Sequence, residues 1–318
     1  MNASPLAFLF PGQGSQAVGM GRELADKHPV ARDVFAEADA AVGYSLSQLC
    51  FEGPEDKLKL TEITQPAILT VSVAAQRVLE DKGIQAQYLA GHSLGEYSAH
   101  VAAGTLNFAD AVRTVAKRGK YMQEAVPVGA GAMAAILALA LEPLEGVCQE
   151  AAQQTGGTVS PANINSPDQI VISGSKAAVE RAAELAKERG AKRAVMLPVS
   201  APFHCSLMQP AQDRLAVDLQ ALRFSRPRVP VVTNVEAKPV QEAEQAREAL
   251  IRQVTGAVQW VRSMQSLASL GVHTFIEVGP GKVLAGLLRQ IDRSKTGLNV
   301  ESEESLQKTL MALVARSA

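Results

Sequence analysis

Residues 88–95 read Tyr-Leu-Ala-Gly-His-Ser-Leu-Gly, a short apolar stretch followed by a serine between two glycines. The apolar part is typical of a buried strand, and the residues from there to about Gly104 have the pattern of a helix. Gly-x-Ser-x-Gly between a strand and a helix is typical of a nucleophile elbow, a sharp turn that exposes the serine hydroxyl. We therefore interpret Ser93 as a candidate nucleophile. The alternative is a tight turn whose glycines serve packing alone.

Strand and helix patterns alternate on both sides of this turn. Leu6–Phe10 and Thr274–Val278 are short apolar runs that each end in a turn of glycine and proline. Between them, an apolar periodicity predicts a helix that begins at Pro66 and runs towards Gly83. This alternation predicts an α/β fold with a mostly parallel sheet.

The elements of residues 129–198 follow a different order. Their patterns predict a strand, a helix, two strands, a helix and a last strand. The order β-α-β-β-α-β is typical of a ferredoxin-like unit. We interpret it as a small subdomain inserted into a larger core, which residues 1–128 and 199–318 form together.

Composition excludes several classes of function. The 318 residues include 31 basic and 32 acidic side chains, so no basic surface suited to nucleic acid is expected. Three scattered cysteines, Cys50, Cys148 and Cys205, predict neither a disulfide framework nor a thiolate metal site. The N-terminus lacks a leader pattern, and the longest apolar run, 132–141, is well short of the ~20 residues of a membrane helix. We expect a cytoplasmic protein.

A serine nucleophile needs a general base, and histidine is the usual one. His204 is the best candidate, because it lies in a loop that begins at Ser200, after a predicted strand, and such loops often carry catalytic groups. His92 adjoins Ser93, but neighbouring side chains on a tight turn diverge. The other histidines are interpreted as surface or structural residues, namely His28, His100 and His273.

Arg118 lies on the apolar face of a helix predicted from about Asn107 to Glu124, in line with Val115 and Met122. A buried guanidinium is costly unless an anion meets it. Either an Asp or Glu of the protein pairs with Arg118, or the carboxylate of a substrate does; a snorkelling side chain is a further alternative. Arginine suits the substrate interpretation, because its planar fork holds a carboxylate with two hydrogen bonds.

The glycine-rich loop Pro11–Gln16 directly follows the first predicted strand. It lacks the lysine of a P-loop, and it breaks the spacing of a dinucleotide-binding fingerprint. A backbone N–H of Gln13 that serves as an oxyanion-hole donor fits this position better. The alternative is a plain connecting loop.

Several of these motifs together resemble the malonyl-CoA:acyl carrier protein transacylases, over nearly the whole chain. The motifs are Phe10-Pro-Gly-Gln-Gly-Ser-Gln16, Gln65-Pro-Ala67, Gly91-His-Ser-Leu-Gly-Glu-Tyr97, Arg118, Pro202-Phe-His204 and Glu277-Val-Gly-Pro-Gly281. The length suits the stand-alone bacterial enzyme of type II fatty acid synthesis. The resemblance implies an α/β-hydrolase-like core with an inserted ferredoxin-like subdomain. It implies no metal and no cofactor.

The resemblance also implies roles for single residues. Ser93 would accept the malonyl group, with His204 as its base. Backbone N–H groups of Gln13 and Leu94 would form the oxyanion hole, and the backbone carbonyl of Gln253 would orient the histidine. The implied substrate-binding residues are Arg118, which would hold the malonyl carboxylate, and Met122, Phe203 and His92. Phe203 is similar to the residue of malonyl-selecting members.

The implied reaction is a ping-pong transfer of malonyl from malonyl-CoA to the phosphopantetheine thiol of acyl carrier protein. We expect these two partners and neither nucleic acid nor a membrane. We also expect the protein to be a monomer. One alternative is a trans-acting malonyltransferase that serves a polyketide synthase. Another is a serine thioesterase or other hydrolase. Two features disagree with it: no recognisable acid follows Ser93 in the order found in hydrolases, and Arg118 would have no purpose. A non-catalytic scaffold disagrees with an intact Ser93 and His204.

Overall fold

The computed structural model describes residues 5–199 and 201–317, within which ten strands form two sheets. Residues 1–4, which the expectation about a leader concerns, Ser200, in the predicted loop before His204, and Ala318 lie outside the described residues. The strands are β1 Leu6–Phe10, β2 Tyr88–Gly91, β3 Gly131–Leu137, β4 Val159–Ser166, β5 Gln169–Ser175, β6 Arg193–Met196, β7 Val231–Val232, β8 Pro239–Val240, β9 Thr274–Val278 and β10 Thr296–Val300.

Helices connect these strands and cover the faces of the sheets. They are α1 Arg22–Lys27, α2 Pro29–Val42, α3 Leu46–Glu52, α4 Glu55–Leu58, α5 Thr61–Asp81, α6 Leu94–Ala102, α7 Phe108–Glu124, α8 Leu141–Thr155, α9 Lys176–Glu188, α10 Gln209–Ala221, α11 Ala243–Arg252, α12 Trp260–Ser269, α13 Val283–Ile291 and α14 Glu303–Ser317, with a 3₁₀ turn at Ser206–Met208. In the part of the chain described, no helix has the length and apolar character needed to span a bilayer.

The larger sheet has the strand order β10-β9-β1-β2-β7-β8. All neighbours pair in parallel except β7 and β8, which are antiparallel. The alternating side chains of β1 enter two different cores: Phe8 and Phe10 pack on one face, whereas Ala7 and Leu9 pack on the other beside Trp260. Burial of both faces is typical of a parallel sheet. The predicted α/β fold with a mostly parallel sheet is confirmed.

The second sheet is antiparallel, with the strand order β4-β5-β3-β6. Its chain order, β3-α8-β4-β5-α9-β6, is the one that the sequence pattern predicted. It has its own hydrophobic core, in which Ile136 and Ile172 of the sheet pack with Val147 and Val179 of the two helices. β4 also contacts the segment just before α12, where the Ile164 N–H donates to the Val258 carbonyl at 2.9 Å.

One predicted boundary is wrong: α5 begins at Thr61, not at Pro66. Pro66 lies inside the helix and is buried. A proline in a helix removes one hydrogen bond to the preceding turn. The cost is tolerated here because α5 is buried along most of its length, so that tertiary packing rather than helix propensity sets the boundary.

Candidate active site

The predicted elbow joins the end of β2 to the start of α6. Ser93 has φ 50° and ψ −106°, in a region that non-glycine residues rarely occupy. A Cβ atom at Gly95 would lie 2.0 Å from the Phe10 carbonyl oxygen, and one at Gly91 would lie 1.9 Å from the backbone of Gly95. The two glycines are therefore required for the close approach of α6 to the sheet. This contact holds Ser93 in its strained turn.

His204 lies against the serine hydroxyl. Its Nε2 is 2.7 Å from Ser93 Oγ, and its Nδ1 is 2.9 Å from the Gln253 carbonyl oxygen and 3.2 Å from that of Gly256. Carbonyl oxygens only accept hydrogen bonds, so Nδ1 carries the proton in the neutral imidazole. The lone pair of Nε2 is then free to accept the serine proton.

The surroundings of His204 keep its imidazole neutral. Burial, and after it the positive charge of Arg118, lower the pKa of His204 to about 3, although the Gln253 carbonyl acts in the opposite direction. Only 4% of the residue is exposed. A neutral histidine is the form that can act as a base.

Arg118 is buried beside the same hydroxyl, with 1% of the residue exposed. Its guanidinium donates to Gln65 Oε1 at 2.8 Å, to Gln253 Oε1 at 2.9 Å and to Ser93 Oγ at 3.1 Å. Burial lowers the pKa of this guanidinium below its ordinary value. Its three partners are all neutral, and within the described residues no Asp or Glu forms an ion pair with it. An internal ion pair therefore does not explain this buried charge.

These side chains face one cavity of about 140 Å³. All the predicted site residues line it except Gln253: they are Gln13, His92, Ser93, Leu94, Arg118, Met122, Phe203 and His204. Gln253 lies behind the wall, fully buried, where its carbonyl meets His204. Among the residues described, no group of three or more His, Cys, Asp or Glu side chains is arranged as metal ligands would be.

His92 points away from the hydroxyl of its neighbour. Its Nε2 lies 2.8 Å from Asn165 Oδ1 in β4, and its ring packs 5.4 Å from the ring of Trp260. Burial lowers the pKa of His92. The geometry therefore favours His204 over His92 as the base.

Asn234, just beyond β7, holds the elbow and has no counterpart in the sequence predictions. Its Oδ1 accepts the Ser93 backbone N–H at 2.7 Å, and its Nδ2 donates to the Gly91 carbonyl at 2.6 Å. Asn234 and Ser93 are 141 residues apart in the chain. No local pattern marks such a long-range contact. Gln65 belongs to a motif of the resemblance, but its bond to Arg118 was not predicted either.

The chain is similar to known proteins over almost its full length. The model of the acyl transferase domain family matches residues 7–310. The malonyl CoA-acyl carrier protein transacylase of Salmonella typhimurium is 52% identical over 305 residues, which cover 96% of this chain and 98% of that protein. An acyl carrier protein S-malonyltransferase from Vibrio cholerae has a similar structure, with a TM-score of 0.94 and 48% identity over 96% of this chain and 100% of the other.

A third similar structure holds a type II polyketide acyl carrier protein in complex with its malonyl-transacylase, with a TM-score of 0.94 and 48% identity over 97% of this chain and 100% of that one. Identity near 50% over almost the full length of both chains is far more than a shared fold requires. The chain therefore belongs to the acyl transferase domain family and, within it, to the malonyl CoA-acyl carrier protein transacylases.

Proposed function

We propose that this chain transfers the malonyl group from malonyl-CoA to the phosphopantetheine thiol of acyl carrier protein, through a malonyl ester on Ser93, and so supplies fatty acid chain elongation. One observation carries the proposal: Ser93, His204 and the buried guanidinium of Arg118 face one cavity, and all the hydrogen-bond partners of the guanidinium are neutral. A substrate that brings its own carboxylate gives this guanidinium a direct ionic partner, whereas a neutral acyl group does not.

In the first half-reaction, Ser93 Oγ attacks the thioester carbonyl carbon while its proton moves to His204 Nε2. The C–S bond then breaks, CoA leaves as a thiolate, and the imidazolium returns the proton to the sulfur. In the second half-reaction, the carrier thiol gives its proton to His204 and its sulfur attacks the ester carbonyl. The serine oxygen leaves with that proton. The 2.7 Å contact and the assigned tautomer support both steps.

Backbone N–H groups of Gln13 and Leu94 stabilise the oxyanion in this mechanism. Both residues line the cavity beside Ser93, and Leu94 is the first residue of α6. The N-terminal end of a helix has a positive potential that favours a developing negative charge. The Ser93 N–H is not available for this role, because Asn234 accepts it.

Arg118 binds the malonyl carboxylate in the proposed reaction, and this ion pair also changes the proton affinity of His204. The positive charge of Arg118 is one of the causes that lower the pKa of His204. A carboxylate on Arg118 offsets this charge and therefore raises the proton affinity of His204 when a malonyl group is bound. Met122 and Phe203 line the same cavity and would contact the acyl chain.

A neighbouring groove of about 290 Å³ supports the delivery of a long thiol arm. It shares Gln13, His92, Asn163 and Leu197 with the reaction cavity and runs between the loop after β1 and the second sheet. Its lining is mostly apolar with a few amide groups, which suits a pantetheine chain. The polyketide carrier bound to a similar transacylase is a precedent for a carrier protein as partner.

We further propose a division of the chain into a core and a subdomain. We assign residues 1–128 and 199–318 to an α/β-hydrolase-like core and residues 129–198 to a ferredoxin-like subdomain. The order β4-β5-β3-β6 of the antiparallel sheet and its separate core support this division. One chain supplies every residue of the site, which is consistent with a monomer. Three free, buried cysteines are consistent with the cytoplasm.

Hydrolysis is the weaker alternative. A serine hydrolase generally orients its histidine with a carboxylate, whereas His204 Nδ1 faces two backbone carbonyls. Arg118 would also lack a purpose. A polyketide carrier as acceptor uses the same site, and the relatives do not favour it.

The proposal is tested by a transfer assay with malonyl-, methylmalonyl- and acetyl-CoA and a purified acyl carrier protein of fatty acid synthesis. We expect malonyl-CoA to be used with the highest kcat/KM, and malonyl to accumulate on the carrier rather than as free malonate. A higher kcat/KM for acetyl-CoA, or release of free acid in place of transfer, would contradict it.

A further inference from the structure

The side chain of Gln253 connects three groups around the site. Its Oε1 accepts the Arg118 N–H at 2.9 Å. Its Nε2 donates to the Ser93 carbonyl at 2.9 Å and to Glu96 Oε2 at 2.7 Å. Gln253 is fully buried, so water cannot replace any of these contacts.

The direction of this amide matters for Arg118. If the amide were reversed, its N–H groups would face the N–H groups of the guanidinium, and its oxygen would face the oxygens of Ser93 and Glu96. Such like-to-like contacts in a buried site cost the full desolvation of each group. Two acceptors therefore select the orientation that presents an oxygen to Arg118. One is a backbone carbonyl, and the other is the Glu96 carboxylate.

Glu96 lies in the first turn of α6, fully buried and outside the lining of the reaction cavity. Its Oε2 accepts from Gln253 Nε2 and from the Asn234 backbone N–H, the latter at 3.0 Å. Its Oε1 has no hydrogen-bond partner among the described residues. Burial of a carboxyl group costs free energy, and only one oxygen of Glu96 is compensated by hydrogen bonds. An apolar side chain would fill the same space at a lower cost, so we look for a role of this bonded oxygen.

We propose that Glu96 is a positioning residue for acyl-group selection: its bonded oxygen fixes the amide of Gln253, and this amide holds Arg118 in place for the malonyl carboxylate. The inference rests on the proposed function, in which Arg118 binds that carboxylate. Glu96 acts through Gln253 and does not touch the substrate.

The test compares Glu96→Leu, which removes the acceptor, with Glu96→Gln, whose amide oxygen can accept the same two hydrogen bonds. Transfer to the carrier protein is measured with malonyl-CoA and with acetyl-CoA, and circular dichroism and thermal unfolding report on the fold. Glu96→Leu should lower kcat/KM for malonyl-CoA roughly 10- to 100-fold, the effect of a lost hydrogen bond to a charged group, and that for acetyl-CoA by less than about threefold. Glu96→Gln should restore the malonyl-to-acetyl ratio to within about threefold of the wild-type ratio.

A folded Glu96→Leu protein with the wild-type ratio would overturn the inference, because Glu96 would then serve stability alone. So would a Glu96→Gln protein that loses the ratio as fully as Glu96→Leu. Where Glu96→Leu does not fold, Gln253→Met tests the same connection from its other end. It should lower the ratio as Glu96→Leu would, and an unchanged ratio would overturn the inference.

Arg118→Ala in the same assay distinguishes a failure of the proposed role of Arg118 from a failure of the proposed role of Glu96. If this variant keeps the wild-type ratio, the carboxylate role of Arg118 is wrong and the role of Glu96 with it. If it loses the malonyl preference while Glu96→Leu keeps it, only the role of Glu96 is wrong.

Discussion

Ser93 Oγ and His204 Nε2 lie 2.7 Å apart although 111 residues separate them in the chain, and both residues have a positive φ, 50° and 59°. Non-glycine residues adopt such angles only where the surrounding structure imposes them. Ser93 is held by Asn234 and by the close packing of α6, and His204 by two backbone carbonyls. The contact between the two is therefore built in before a substrate arrives.

Replacement of Arg118 by alanine should damage malonyl transfer selectively. The variant lacks the donors for the acyl carboxylate, so kcat/KM for malonyl-CoA should fall roughly 10- to 100-fold or more, while that for acetyl-CoA changes much less. Steady-state transfer assays with both donors measure the ratio. Arg118→Lys is the matched control: it keeps the charge without the planar fork and should recover only part of the preference. Equal losses for the two donors would refute the carboxylate role.

The same arginine should control the pH dependence of the base. His204 must be neutral to act, and its pKa of about 3 predicts that acetyl transfer loses activity only well below the ordinary histidine value of 6.5. Removal of the positive charge in Arg118→Ala favours the imidazolium, so the pKa rises and the acid limb of kcat/KM moves towards neutral pH. Acetyl-CoA is the suitable donor, because it brings no carboxylate that would itself offset the charge of Arg118 in the wild-type protein. A limb that stays in place or moves to lower pH would contradict the coupling.

Asn234→Ala should disturb the elbow without changing selectivity. The variant leaves the Ser93 N–H and the Gly91 carbonyl unpaired in a buried place, which costs about 1–3 kcal/mol for each group. We expect a lower free energy of unfolding in urea, and kcat/KM values for malonyl- and acetyl-CoA that fall by similar factors. A change in their ratio comparable to that of Arg118→Ala would show that Asn234 acts on the acyl carboxylate instead.

Glu277, from the Glu-Val-Gly-Pro-Gly motif, should make the protein less stable as pH rises. It is fully buried, and its Oε2 accepts the Ala285 N–H at the start of α13 at 2.8 Å. Burial raises its pKa from 4.5 to about 7. The folded chain therefore binds more protons than the unfolded chain between these values, and up to about 3 kcal/mol of stability is lost as pH rises through this window.

Urea unfolding at several pH values measures this loss of stability in wild type and in Glu277→Gln. The amide oxygen of the variant can still accept the Ala285 N–H. The variant should lack this component of the pH dependence. Glu180→Gln, at an exposed position of α9, is the control and should keep it. Parallel pH profiles for wild type and Glu277→Gln would show that the Glu277 carboxyl does not titrate in this way.

The sequence was sufficient for the features that local patterns encode. Alternating strands and helices predicted the mostly parallel sheet, the glycines around Ser93 predicted the elbow, and the helical spacing of Arg118 predicted its burial. The predicted start of α5 at Pro66 was wrong, because the packing of a buried helix outweighs the local cost of proline.

The second layer of the site could not be predicted in this way. Gln65, Glu96 and Asn234 reach the site through hydrogen bonds whose partners lie 53, 157 and 141 residues away in the chain. Such contacts depend on how the elements pack, and no periodicity or spacing records them. For the same reason, the second carbonyl at His204, that of Gly256, emerged only from the three-dimensional structure.

Ser93 as the nucleophile is tested most directly by intact-protein and peptide mass spectrometry after incubation with malonyl-CoA, before and after addition of acyl carrier protein. We expect one malonyl group per chain on the peptide that contains Ser93, its removal when the carrier thiol is added, and no adduct in Ser93→Ala. An undiminished adduct in Ser93→Ala, or a malonyl group on a different residue of the wild-type chain, would contradict the assignment of Ser93 as the nucleophile.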